Sequence, residues 1–397
     1  MSNTPKLRFP EFTGEWEEKR LEEICDPPKY GLNSAGIEFD GIHKYLRITD
    51  IDEITHTFSP TDITTPSEFN DEYLLNKNDI VFARTGASTG KTYLYDSNDG
   101  DLYFAGFLIK FHVKDANARF VFYQTLTHKY SKWVHVMSTR SGQPGINSEE
   151  YGSYKIKLPD IHEQQKIADF LSNVDSIISA ETKILNALQK KKKALMQKLF
   201  TQQLRFKSDT GNDFPEWEEK KLGEIAEFKQ GYQILFSDQI SEPKEGYLRY
   251  LYISDFISDK KLLYVKDEDS YYHISEKDIC VANTGATSGK PFRGQTGILS
   301  NNMFKIFLSN VIDEDFAWQF FNSPCYENEL QTFMNGAGQP HIGHKNMSAI
   351  HISLPCKDEQ QKIADCLSSL DSLIQNQQKV VTTWQQRKKA LLQQMFI

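Results

Sequence analysis

The chain says most of its sequence twice, and a repeat of this period leaves few architectures open. EQQKIADFLSNVDSII at 163–178 returns as EQQKIADCLSSLDSLI at 359–374, and DIVFARTGASTGK at 79–91 returns as DICVANTGATSGK at 278–290. SGQPGI at 141–146 answers AGQPHI at 337–342, and EWEEKRLEEI at 15–24 answers EWEEKKLGEI at 216–225. The offset is 201 residues at the start of the repeat and 196 at its end, too long for a solenoid. It predicts two half-proteins of one plan, and 397 residues give each half enough chain for its own core.

Each repeat has three parts. A strand-rich region of about 155 residues comes first, with short apolar runs such as KTYLYD at 91–96 and LIKFHV at 108–113 between Gly, Asn and Asp turns. A helical stretch is expected over 117–130. A proline stop follows, KLPD at 157–160 or SLPC at 353–356. The third part is a long helix. Ile167, Leu171, Val174, Ile178, Glu181, Leu185, Leu188, Lys192, Leu195 and Leu199 step by four and three without a break, the seam of a coiled coil. The second copy runs Ile363, Leu367, Leu370, Ile374, Gln377, Val381, Trp384, Lys388, Leu391, Met395 in the same register.

Connectivity sets the direction of the two helices. The first ends near Phe200, close to the start of the second strand-rich region, and the second begins where that region stops. If they pack along their length they are antiparallel. The expected fold class is therefore α+β: two similar mixed α/β, strand-rich domains joined by two long helices in an antiparallel coiled coil, a pseudo-twofold dumbbell. The domain limits are 1–158, 159–204 (first helix and linker), 205–355 and 356–397. Leu7-Arg8-Phe9 at the start and Leu204-Arg205-Phe206 after the first helix match, as if the chain were circular.

Composition narrows the function classes. Five scattered cysteines without C-x-x-C spacing argue for a reducing cytoplasm and against disulfides or a zinc site. The opening MSNTPKLRFPEF has no apolar run, so no signal peptide is expected, and no stretch reaches the roughly 20 apolar residues of a membrane span. A net charge of −8 weighs against a protein that holds nucleic acid alone through charge. Basic runs at Lys190–Lys193 and Arg387–Lys389 suit the negative C-terminal ends of their helices or an acidic partner.

Several motifs tempt and fall short. TGASTGKT at 85–92 resembles a phosphate-binding loop, but Thr85 replaces the first Gly and the second copy ends in Gly289-Lys290-Pro291, without a hydroxyl for a metal. The turns read either as plain strand connections or as presenters of polar side chains to a nucleic acid. At their variable position stands Arg84 in one copy and Asn283 in the other, residue types that read guanine and adenine. DPPKY at 26–30 approaches an amino-methyltransferase signature, with Lys29 where the aromatic belongs. His341 and His344 lack a third ligand, and no metal site is expected.

The paired L-P-x-x-x-E-Q-Q-K-I-A segments at 158–168 and 354–364, the paired T-G-A turns and the paired G-Q-P turns carry a resemblance over essentially the full length. The chain resembles the specificity subunit of type I restriction–modification systems. That resemblance implies two target-recognition domains, each reading one half of a bipartite, asymmetric DNA site. It implies that the helices act as a ruler and dock two modification subunits, and that restriction subunits can join. The partners would carry the cofactors: S-adenosylmethionine for adenine methylation, ATP and Mg for translocation and cleavage. This chain would hold no cofactor and no catalytic residue. The expected base readers are Arg84, Thr85, Ser88, Lys91, Arg140 and Gln143 in the first domain and Asn283, Thr284, Ser288, Lys290, Gln339 and His341 in the second. Lys29, Tyr30, Gln230 and Tyr232 are further candidates. Partner docking and the coiled coil fall to Ile167, Leu171, Val174, Ile178, Leu185, Leu188, Ile363, Leu367, Leu370, Ile374, Val381 and Trp384. The competing readings are a stand-alone nuclease or methyltransferase, which would bind S-adenosylmethionine by itself, and a coiled-coil scaffold that ignores DNA.

Overall fold

A computed structural model describes residues 4–68, 70–139, 143–258, 262–334 and 341–396. The chain divides into two compact units, residues 1–182 with 380–397, and residues 183–379. The long helices are Ile161–Phe200 and Lys357–Met395. Each unit therefore owns the first part of one helix and the last part of the other. No helix among the described residues is long and apolar enough to cross a membrane.

In the first unit the strands that matter are β1 (Glu17–Arg20), β2 (Lys29–Tyr30), β3 (Asp79–Ala83), β4 (Thr92–Leu94), β5 (Leu108–His112) and β6 (Lys155–Leu158). Four form an antiparallel sheet in the order β2-β5-β3-β4, and β1 pairs with β6 just before the first long helix. Every residue of β3 is buried because the sheet is covered on both faces. Alternation divides the strand. Ile80 and Phe82 pack with Phe111, Phe120 and Val121, while Val81 and Ala83 join Leu46, Tyr93 and Phe104 on the other face. The helix expected over 117–130 is two, α1 (Ala118–Gln124) and α2 (His128–Ser138). The break lies at threonines whose hydroxyls turn back on the backbone: Thr125 Oγ1 donates to Phe122 O at 2.7 Å and Thr127 Oγ1 to Gln124 O at 2.8 Å.

The second unit repeats the plan with β7 (Glu218–Lys221), β8 (Ala226–Gln230), β9 (Cys280–Ala282), β10 (Pro291–Phe292), β11 (Met303–Leu308) and β12 (His351–Leu354). Its sheet order is β8-β11-β9-β10, and β7 pairs with β12. Helices α3 (Glu314–Phe321) and α4 (Pro324–Met334) take the places of α1 and α2.

Within each unit the helix segments run antiparallel. In the first, Ile167 and Leu171 share a core with Leu392, Met395 and Phe396, and Lys388 meets Asp175 at 2.6 Å. In the second, Leu199 shares a core with Ile363 and Leu367, and Lys192 meets Asp371 at 2.5 Å. Seam residues Ile167, Leu171, Val174, Ile178, Leu185, Ile363, Leu367 and Val381 are buried, and Leu188, Leu370, Ile374 and Trp384 are half-buried. The lysine at the eighth seam step is thus held by an aspartate of the facing helix. A group from the globular part completes each pair: Tyr123 donates its hydroxyl to Asp175 at 2.7 Å, and Gln319 its amide to Asp371 at 2.8 Å.

The E-Q-Q segments prove to be clamps. Glu163 is 1% exposed and accepts two hydrogen bonds from Arg8, both 2.7 Å. Glu359, fully buried, accepts from Arg205 at 2.9 and 3.2 Å and from Trp217 Nε1 at 2.9 Å. Gln164 and Gln360 each donate to the preceding proline's carbonyl at 2.8 Å and accept from the backbone N–H of Asn117 or Asp313. The L-R-F strap therefore lies across the base of each long helix. It also reaches the end of the antiparallel one: Leu7 N donates to Gln394 O at 2.9 Å, as Leu204 N does to Lys198 O at 3.1 Å. The N-terminal strap meets the second helix as the internal linker meets the first.

Candidate nucleic-acid interface

Between β3 and β4 the chain turns through residues 84–91, and between β9 and β10 through 283–290. Both turns demand glycine. A Cβ on Gly90 (φ +92°) would come within 2.5 Å of Val134, and one on Gly289 (φ +81°) within 2.3 Å of Leu330. Tyr130 of α2 and Tyr326 of α4 donate their hydroxyls to the carbonyls of Gly90 (3.0 Å) and Gly289 (2.7 Å). Burial holds both phenols well above their ordinary pKa, so they remain donors.

The turns are not phosphate cradles. The N–H groups at the end of the first turn are already taken, Gly90 N by Ala83 O at 2.9 Å and Lys91 N by Ser88 O at 3.0 Å. A strand, not a helix, follows each turn.

The G-Q-P loop packs on the turn in each unit. Thr85 bridges Gly145, and Gly86 N donates to Pro144 O at 3.1 Å. Thr284 bridges His341, whose Nδ1 lies 3.1 Å from Asn283 O. In the first unit this gathers Arg84, Thr85, Gln143 and Tyr30 on one surface. Tyr30 is tied to it through Ser148, whose hydroxyl and N–H lie 3.2 Å from the phenol oxygen. The Arg84 guanidinium sits over the Tyr30 ring at 5.2 Å and the Phe107 ring at 6.0 Å, with Nε donating to Gly106 O at 3.1 Å. Ser88 is half-buried at the base of the turn. Arg140 and Gln339 lie outside the described residues.

The other expected readers differ in burial and partners. Lys91 is 8% exposed; its ammonium donates to Ile51 O at 2.9 Å and pairs with Glu53, an arrangement that anchors the 48–53 segment. Its counterpart Lys290 is exposed. Ser288 is buried, with its hydroxyl on Asn283 O at 3.0 Å. Asn283 is 4% exposed. Lys29 pairs with Glu72 at 2.7 Å, which lowers the pKa of that carboxyl, and lies over the Tyr73 ring. Gln230 donates to Asn301 O, beside the turn. Tyr232 stacks on Tyr272 with ring centres 4.8 Å apart and lines a 760 Å³ cavity with Tyr247 and Ile298.

Two surface residues were missed in the sequence, Phe107 (58% exposed) and Asn302. Both stand in the turn that leads into the second central strand. The apolar run predicts a strand at 108–113 but none is expected at Leu102–Phe104, and it is the pair of strands that puts Phe107 in an exposed turn.

A second surface belongs to the helices of the first unit. A groove of about 420 Å³ is walled by Phe170, Val174, Ile177, Trp384, Ala390 and Leu391, with the Arg387 guanidinium over the Trp384 ring at 5.1 Å. Among the described residues no group of three or more His, Cys, Asp or Glu could hold a metal ion.

Comparison with known proteins agrees with this architecture. The profile of the type I restriction modification DNA specificity domain matches residues 13–190 and again 215–383. The MjaVIII specificity subunit of Methanocaldococcus jannaschii is 27% identical, over 97% of this chain and 92% of its own length. The putative MjaX specificity subunit of the same organism is 26% identical, over 98% and 95%. A crystal structure of a type I S subunit from M. genitalium superposes with a TM-score of 0.62 at 16% identity, covering 99% of each chain, a likeness of fold. The profile's two matches follow the two copies of the repeat: the chain belongs to the type I restriction–modification DNA specificity family.

Proposed function

We propose that this chain reads a bipartite, asymmetric DNA site for a type I restriction–modification complex, without catalysing either reaction. One observation carries the reading. Two units of one plan present different side chains from matching turns, Arg84 with Tyr30 and Phe107 in one and Gln230 with Asn302 in the other. Two readers of different chemistry suit a site of two unlike halves.

The partners supply the rest. Two modification subunits carrying S-adenosylmethionine dock along the helices and methylate adenine, and restriction subunits bring ATP and Mg for translocation and cleavage. The apolar groove beside Trp384 supports docking there, because exposed apolar surface rimmed by charge suits a protein partner. The acidic balance of the chain fits this division of labour. Partner subunits can provide the phosphate contacts while this chain provides base contacts. The assembly would act on DNA in the cytoplasm.

Mapping methylated adenines in cells with and without the gene tests the proposal. Loss of a single two-part motif with unlike halves is expected. An unchanged methylation map, in cells whose modification subunit is expressed, would refute it. Methyl transfer by the purified chain alone would favour the stand-alone enzyme instead.

A further inference from the structure

The two units build one backbone frame and hang different side chains on it. Arg84 N donates to Phe107 O at 3.0 Å and Ile146 N to Arg84 O at 2.9 Å; Asn283 N donates to Asn302 O at 3.0 Å and Ile342 N to Asn283 O at 2.9 Å. Gly31 N donates to Leu108 O at 3.0 Å, and Gly231 N to Met303 O at 2.9 Å. A Cβ on Gly31 would lie 2.2 Å from Ala105 O, and one on Gly231 2.1 Å from Ser300 O. These contacts set position 30 against 230, 84 against 283 and 107 against 302. The side chains are Tyr, Arg and Phe in the first unit and Gln, Asn and Asn in the second. A set kept for packing has to preserve volume and polarity. This one exchanges two aromatic rings and a guanidinium for three amides while the frame stays in place.

The two sets also present different atoms. In the first unit Arg84 is anchored through Nε, and its two terminal nitrogens have no partner among the described residues. The rings of Tyr30 and Phe107 restrict the guanidinium, so the fork is held ready for a planar acceptor pair. In the second unit the matching residue turns inward. Asn283 donates Nδ2 to Asn301 O at 3.3 Å, and its Oδ1 is buried with no partner among the described residues. Gln230 donates to the same carbonyl. Asn302 is exposed, and its side-chain amide has no partner among the described residues.

We propose that Phe107 and Asn302 are specificity-determining positions, and that in the second unit Asn302 rather than Asn283 is the amide that meets a base. This rests on the DNA-reading function above. An exposed Asn amide matches the N6–N7 edge of adenine, and an exposed Phe suits the methyl group of thymine. Asn283 is the support beneath Asn302.

The test uses the chain in complex with its modification subunit and a pool of duplexes randomised over the site. For Asn302→Ala, discrimination at one base pair of the second half-site should fall roughly 5- to 150-fold, with the first half-site untouched. Phe107→Ala should relax one base pair of the first half-site only. Asn283→Ala should lower the melting temperature without relaxing any one base. A second half-site read as in the wild type by Asn302→Ala overturns the assignment, as does base-specific relaxation in Asn283→Ala alone. Failure of the DNA reading itself looks different, because the wild-type complex would then select no sequence. Asn302→Ser, which keeps a small polar side chain, is the second variant should the alanine form not assemble.

Discussion

Arg84 shows how one side chain is prepared for recognition by its neighbours. Its Nε is tied to a carbonyl and its plane is bounded by two rings, so little rotamer freedom remains to be lost on contact. Arg84→Ala is expected to cost about 1–3 kcal/mol of discrimination at one base pair if that pair presents a guanine. Competition between matched and mismatched duplexes measures it, and equal competition would assign Arg84 to packing. His56 gives a second residue-scale prediction, on stability. It adopts φ +56° and donates Nδ1–H to Thr92 O at 2.9 Å. Burial, assisted by the nearby Lys388 and Lys91 charges, lowers its pKa below the ordinary 6.5. Between that depressed value and 6.5 the unfolded chain takes up the proton and the fold does not. Stability therefore rises with pH in this window and is lost as pH falls through it. His56→Asn, which tolerates the positive φ, should show a smaller drop in melting temperature between about pH 7.5 and 5.5. Equal drops in both proteins would remove His56 as the cause.

The long helices were the most legible elements, because ten seam positions in each of two copies repeat one register. What that pattern could not show is how the helices are fastened. The E-Q-Q segments served as a family mark in the sequence, yet Glu163 and Glu359 are buried acceptors for arginines more than 150 positions away. Nothing local announces such a partner. The same limit explains Lys91, which reads as a cationic turn residue until the 48–53 segment closes over it. It also explains Asn283, whose inward turn depends on the carbonyl of Asn301. The clamps themselves can be ranked. Glu359 holds Arg205 and Trp217, whereas Glu163 holds Arg8 and the buried Trp16 Nε1 has no hydrogen-bond partner among the described residues. Glu359→Ala should destabilise the protein by about 3–5 kcal/mol. Glu163→Ala should cost less, by roughly one hydrogen bond to a charged group, about 1.5–3 kcal/mol. Urea denaturation of both variants gives the order, and the reverse order would contradict this account.

At the scale of the whole molecule, the independence of the two readers is open to exchange. Replacing residues 205–355 with the same region of a relative should alter one half-site and leave the other, because that region is bounded at both ends by a clamped helix. A change in both halves of the methylated motif would reject two separate readers. The division of the chain also governs the order in which it can be built during synthesis. Residues 183–379 form one continuous stretch, so the second unit has all its parts before residues 380–397 are translated. The first unit does not. Phe396 packs on Phe120 at 5.2 Å and on Trp16 at 6.4 Å, joined by Leu392 and Met395 in that core. Removing residues 390–397 should therefore leave hydrogen exchange in β8 to β11 slow while quickening it in β2 to β5, which all lie far upstream in the chain. The domain whose strands are translated first has to wait for residues 390–397, and until they arrive its apolar core lies open.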